Sequence, residues 1–263
     1  MRRLVPYALA AVLTMSGCTA VASQSPQRAG KATRATGDKA LGGKRSAGGE
    51  RGATAPVVMI LGDSYTAGIP GTPPTATYAA DVARTLGWQI IIAGYRGTGF
   101  VAPGRIGKTF PMLFDEELAW RPAPDMVIVA GGHNDWPHDP QLVTASARQL
   151  LTKIRQQWPS TRLLLTGPMW GGDPRREALR VRDALKGVAS ELQVPFIDPL
   201  QEKWITGNVR RRTGTARTYI RRDGVHPNAA GNRYFADRFV TDLRRLGLDE
   251  PRLPAGGDDH QGP

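Results

Sequence analysis

Five short, continuously apolar runs, separated for the most part by longer stretches of helical spacing, constrain this chain more than any other feature. Residues 57–61, 88–93, 126–130, 162–166 and 195–197 read as strands, and helical patterns fall at about 75–86, 141–158, 174–192 and 227–246. In the second helix Leu142, Ala145, Leu150, Ile154 and Trp158 recur at helical spacing. A strand without polar alternation must be covered on both faces, and strands joined through helices run parallel. The fold class is therefore α/β, a three-layer α/β/α sandwich formed by residues 56–247. In such folds binding and chemistry gather at the carboxyl ends of the strands.

The flanks differ in kind. Met1-Arg2-Arg3 is a cationic head, followed by an apolar-leaning stretch at 4–15 interrupted by Pro6. That is too short to cross a bilayer comfortably but suits the core of a secretory signal. Met15-Ser16-Gly17-Cys18 resembles a bacterial lipobox, which implies a signal peptide at 1–17, lipid on Cys18 and attachment to the outer face of the cytoplasmic membrane. The alternative is an ordinary cleaved signal and secretion. Cys18 is the only cysteine, so no intramolecular disulfide forms. Residues 19–55 are Gly, Ala, Ser, Thr, Gln, Arg and Lys with almost no large apolar side chain, the composition of a flexible basic linker. Residues 248–263, rich in Pro and Gly, read as a disordered tail.

The net charge of +12 is unevenly spread. Arg2, Arg3 and the seven Lys/Arg against two Asp/Glu at 19–55 carry more than half of it, so the folded part is only moderately basic. A nucleic-acid partner is excluded on that ground.

Three segments fall at the predicted strand ends or just before a helix. The first strand runs into Leu61-Gly62-Asp63-Ser64-Tyr65-Thr66-Ala67-Gly68, where a serine on a tight turn is either exposed for chemistry or a helix cap. The third ends in Gly131-Gly132-His133-Asn134-Asp135. Asp223-Gly224-Val225-His226-Pro227-Asn228 precedes the last helix, and Pro227 suits its first turn, which leaves Asp223 and His226 in the loop before it.

Together, and in this order, Gly62-Asp63-Ser64-Tyr65, Gly132-His133-Asn134-Asp135 and Asp223-Gly224-Val225-His226-Pro227 resemble the blocks of the SGNH (GDSL-type) hydrolase family. The resemblance covers roughly 56–246 and implies a flavodoxin-like, parallel five-stranded sheet. It also implies a serine esterase acting on an ester at the cell envelope, deacetylation included. A serine hydroxyl needs a base within hydrogen-bond reach, and an imidazole titrating near neutrality supplies one. Ser64 is then the nucleophile, His226 the base and Asp223 its orienting partner. The resemblance assigns the oxyanion donors to the Ser64 N–H, the Gly97 N–H and the Asn134 amide, with Gly99 as the alternative glycine. No cofactor or metal is called for. The partners expected are a small-molecule, glycan or lipid ester, the membrane through the lipid anchor, and an anionic wall polymer.

Other patterns fit less well. Gly104-Arg105-Ile106-Gly107-Lys108-Thr109 ends like a phosphate loop, but Ala102, followed by Pro103, stands where it needs glycine, and Pro111 interrupts the helix that should follow. Gly97-Thr98-Gly99 imitates a dinucleotide fingerprint, with Pro103-Gly104 in place of the receiving helix. His133, Asp135, His138 and Asp139 lack the spacing of a metal site. Thr66 breaks the Gly-x-Ser-x-Gly elbow of α/β-hydrolases. Trp158 reads as core, and Trp136 and Trp170 as either packing or pocket lining. Residues 203–222 hold seven Lys/Arg and no acid, which makes them a solvated loop or an attractor of anions. Two further function classes share these residues: an acyltransferase to a sugar or lipid alcohol, and a non-catalytic envelope-binding module.

Overall fold

The computed structural model describes residues 54–251. The expected signal peptide, Cys18 and nearly all of the expected linker lie outside the described residues, as do residues 252–263. The five strands are β1 (Val57–Gly62), β2 (Gln89–Gly94), β3 (Met126–Ala130), β4 (Arg162–Thr166) and β5 (Phe196–Ile197). They form one parallel sheet in the order β2-β1-β3-β4-β5, with Ile60 beside Ile92 on one side and Ile128 on the other. The flavodoxin-like five-stranded sheet expected from the sequence is present.

Along β1 successive side chains enter different cores, as the two-residue period of a strand requires. Val58 and Ile60 join Tyr78 and Val82 of α2 (Tyr78–Leu86) and Phe235 and Phe239 of α7 (Ala229–Arg245). Met59 and Leu61 join Val143 and Leu150 of α4 (Pro140–Gln157) and Val181 and Leu185 of α5 (Arg176–Glu191). Burial on both sides explains why these strands are apolar throughout. The short helices α1 (Ser64–Ala67), α3 (Phe110–Leu113) and α6 (Ala216–Tyr219) complete the set, and one π turn (Phe114–Leu118) continues α3.

Three expectations need correction. The buried stripe of α4 is Val143, Ala147, Leu150, Leu151 and Ile154, whereas Leu142 and Ala145 are exposed. Pro227 lies outside α7: Asn228 caps that helix by accepting from the Gly231 N–H at 2.9 Å, and Pro227 bridges back to Ile220. The chain is also not loose from 248 onward. Leu248 is buried, and the Trp88 indole N–H donates to the Asp249 carbonyl at 3.0 Å, so 248–251 are packed against the domain.

Candidate active site

Because every strand points the same way, the loops after β1, β2, β3 and β4 all leave from one edge of the sheet. Connections from β1 and β3 diverge there, opening a crevice at the point where the strand order reverses. Ser64 follows β1 and Asn134 follows β3, so the two flank that crevice.

Ser64 is the first residue of α1, not its cap. Asp63 takes the capping role, its Oδ1 accepting from the Tyr65 N–H at 2.9 Å, which leaves the Ser64 hydroxyl uncommitted to the helix. The N–H of a first helical residue has no partner within the helix, and the Ser64 N–H meets no acceptor among the described residues. Burial pushes the Asp63 carboxyl up to about 7, against the N–H bond from Tyr65.

The loop before α7 closes on itself. Arg221 N–H donates to the His226 carbonyl at 2.8 Å, and Asn228 N–H to the Tyr219 carbonyl at 2.9 Å. Within it Asp223 Oδ1 accepts from the backbone N–H groups of Val225 and His226 at 2.9 and 3.0 Å. Asp223 Oδ2 lies 2.8 Å from His226 Nδ1, and His226 Nε2 lies 3.0 Å from Ser64 Oγ. A carboxylate only accepts, so Nδ1 carries the proton and Nε2 is left to accept from the serine hydroxyl. Partial burial would raise the Asp223 carboxyl, but the Val225 N–H, the imidazole and the His226 N–H together hold it below the ordinary carboxylate value.

Tyr65 joins the two halves across the sheet edge. Its hydroxyl donates to the Val225 carbonyl at 2.6 Å, and its ring lies 5.9 Å from that of His226 and 5.4 Å from that of His133. The sequence pointed to Tyr65 only as part of a block. No local pattern could reveal a bond spanning 160 positions.

The loop after β2 is organised by Asp135. Its buried carboxylate accepts from three successive backbone N–H groups, Phe100 at 3.0 Å, Val101 at 2.9 Å and Ala102 at 3.0 Å. Burial pushes the Asp135 carboxyl up, and the N–H bonds only partly offset it. Gly99 packs so closely on this carboxylate that a Cβ would stand 2.4 Å from Oδ2, and its N–H is spent on the Ala102 carbonyl at 2.8 Å. Gly97 differs. It adopts φ +80°, lines the cleft at Ser64, and its N–H meets no acceptor among the described residues. Of the two glycines, only Gly97 has a donor to spare. The Asn134 amide donates to the Thr98 carbonyl at 2.9 Å and, at the long limit of a hydrogen bond, to Asp63 Oδ2 at 3.5 Å, the weaker of the two and the one an oxyanion could displace.

Two clefts meet at this site. One, of about 590 Å³, contains Ser64, His226, Gly97 and Asn134, walled by Tyr95, Arg96 and Arg105. The second, of about 470 Å³, shares His133, Asp223 and Val225 with the first and is walled by Trp136, Trp170, Arg175 and Arg210. Both indoles are half-buried, so the pocket-lining reading of Trp136 and Trp170 holds, while Trp158 and Trp204 are core. His133, beside Trp170 at 4.4 Å, is buried and pushed down to about 4 by that burial, so it stands neutral at pH 7 between the clefts. His138 is exposed, and Asp135 is filled by N–H donors. The run 104–109 forms no helix.

A serine presented at the switch point of a flavodoxin-like sheet, next to an imidazole from the loop before the last helix, marks the SGNH class and not the α/β-hydrolases. The chain belongs to the GDSL-like Lipase/Acylhydrolase family, whose pattern residues 60–234 match. It is a carboxylic ester hydrolase of that type. It is similar to the GDSL lipase Rv0518 of Mycobacterium tuberculosis (strain ATCC 25618 / H37Rv), with 32% identity over 196 residues, 70% of this chain and 79% of that protein. Among solved structures it is similar to a family two carbohydrate esterase from Clostridium thermocellum in complex with cellohexaose. There the TM-score is 0.57 at 19% identity, over 73% of this chain and 65% of that one. It is likewise similar to SsfX3, a salicylyl-acyltransferase from a tetracycline biosynthetic pathway, with TM-score 0.57 and 20% identity over 76% and 57% of the two chains.

Proposed function

We propose that Ser64, His226 and Asp223 form the catalytic triad of an esterase that removes acyl groups, acetyl among them, from a carbohydrate ester of the cell envelope. The observation that carries the reading is the unbroken line from Asp223 Oδ2 through His226 to Ser64 Oγ, at 2.8 and 3.0 Å. Ser64 Oγ attacks the carbonyl carbon as its proton passes to His226 Nε2. Asp223 holds the tautomer and stabilises the imidazolium. The tetrahedral oxyanion is met by the Ser64 N–H, the Gly97 N–H and the Asn134 N–H that otherwise bonds Asp63 only at 3.5 Å. Collapse breaks the carbon–oxygen bond to the alcohol, which leaves with the proton from Nε2. Water then repeats the sequence on the acyl-enzyme and regenerates Ser64.

Support for a carbohydrate ester comes from the aromatic cleft beside the triad, because an indole accepts the apolar face of a sugar ring. The same cleft favours a second reading, acyl transfer to a sugar or lipid alcohol, because an acceptor seated there would compete with water for the acyl-enzyme.

Ser64→Ala tests the triad. Turnover of p-nitrophenyl acetate should fall by roughly 10³-fold or more with an unchanged melting temperature, leaving only what the oxyanion donors supply. Activity within tenfold of wild type would refute it. The same proposal has the signal at 1–17 direct export and lipid on Cys18 anchor the chain outside the cytoplasmic membrane. Cell fractionation of wild type against Cys18→Ala should show membrane-bound and released protein respectively, and equal release of both would mean secretion instead.

A further inference from the structure

A third cleft adjoins the aromatic one, sharing Val209 and Arg210 with it. Of about 750 Å³, it is lined by Arg210, Arg212, Arg217 and Arg222 with Val209, Thr218 and Ile220, and no carboxylate takes part. Among the described residues, none of these four guanidinium groups lies within salt-bridge distance of an acid. Elsewhere on the domain some arginines are paired, Arg148 with Glu191, Arg182 with Asp198 and Arg245 with Asp242, and others such as Arg96, Arg105 and Arg175 are not; what sets the basin apart is that its four unmatched cations face one concavity. Gathering four unmatched cations around one concavity costs repulsion, which an anionic ligand would relieve.

The turn at the rim is built, not loose. Asn208 and Thr213 exchange backbone hydrogen bonds at 3.2 and 3.1 Å, and Asn208 Oδ1 accepts from the Arg210 and Arg211 N–H groups. Arg212 is held at φ +56°, a left-handed conformation that side chains rarely adopt. Arg211, beside it, lines neither cleft. Arg221 points away, its guanidinium donating to the Pro70 carbonyl.

We infer that the arginine basin is a binding site for the anionic groups of a glycan polymer, carboxylate or phosphate, whose esterified sugar reaches Ser64 across the aromatic cleft. The three clefts lie side by side, the basin and the aromatic cleft sharing Val209 and Arg210 as walls, the aromatic cleft and that of Ser64 sharing His133, Asp223 and Val225. Guanidinium forks suit carboxylate and phosphate oxygens, and the two indoles suit the sugars between. The concave basin opening onto an aromatic cleft favours such a polymer over a flat anionic membrane surface. The inference rests on the esterase reading for its direction, but binding itself needs no turnover.

The test measures binding of an oligogalacturonate, which carries no ester, against a neutral oligogalactoside of equal length, using the full chain. The basic linker is common to every variant, so it cancels in each comparison of a variant with wild type. Wild type should prefer the charged oligomer by at least about tenfold at low salt, and the preference should shrink as salt rises. Arg212→Gln/Arg217→Gln/Arg222→Gln should weaken the charged oligomer by about tenfold, and Arg211→Gln by less than about twofold. All four side chains are exposed, so the variants should keep their fold. Equal binding of both oligomers, an unchanged triple variant, or equal losses in the triple variant and Arg211→Gln would overturn the site. So would arginine-dependent uptake onto anionic phospholipid vesicles without oligogalacturonate binding. Ser64→Ala should bind the oligomer like wild type. Failure of the triad reading would therefore show in ester turnover alone, and failure of the basin in binding alone.

Discussion

The loop after β2 and the basic segment at 203–222 are held by opposite means. The first is organised from within, by one buried carboxylate that takes three consecutive N–H groups. The second is held at the surface, by Asn208, Thr213 and the mutual bonds of Thr206 and Thr215, with its cations left in solvent. An oxyanion donor must be aimed to within a fraction of an ångström, and burial over-determines the backbone that carries it. Long-range attraction needs no such aim. It needs unmatched charge, which solvent tolerates and a core does not.

This contrast can be broken most severely at Asp135. In Asp135→Asn a single carbonyl replaces two carboxylate oxygens, and an NH₂ group is turned toward backbone donors. At roughly 3 kcal/mol for the unmet buried groups, the melting temperature should fall by about 5–10 °C. Because the loop carries Gly97, kcat should also fall by about 10²-fold. Thermal melts and ester kinetics read both, and an unchanged melt would mean that the carboxylate does not hold the loop.

Asn134→Ala should lower kcat by about 10²-fold or more by deleting one proposed oxyanion donor. Because it also strips the Thr98 carbonyl of its partner, the melting temperature should fall by a few degrees, less than in Asp135→Asn. A rise in KM at constant kcat would instead make Asn134 a ground-state contact. The smallest effect belongs to the basic segment. The triple arginine variant should hydrolyse p-nitrophenyl acetate within about twofold of wild type, since no charge on that ester depends on steering. A larger loss would mean that the two regions are not separable.

The strands were legible because burial on both faces removes the polar alternation that would otherwise blur them. Ser64, Asn134, Asp223 and His226 stood out as candidates because their blocks resemble those of the family and fall where a strand has just ended or a helix is about to begin. The face of α4 was not legible. Leu142 and Val143 are adjacent and equally apolar, and which of them turns inward depends on where the sheet lies. The helical pieces from Phe110 to Leu118 escaped notice for a similar reason, being too short for a period to show.

Periodicity and the order of three short blocks therefore determined the architecture, the family resemblance and the residues worth testing, because these are local or repeating properties. Tertiary structure alone decided which glycine keeps a free N–H, since Gly99 loses its own to Ala102 while Gly97 does not. It alone brought Tyr65 to Val225, spread the arginines of one basic run into lining, bystander and structural roles, and set the basin that four of them line beside the cleft of Trp136 and Trp170. Each of those outcomes depends on groups far apart in the chain competing for the same few ångströms, and no pattern along a sequence records who wins.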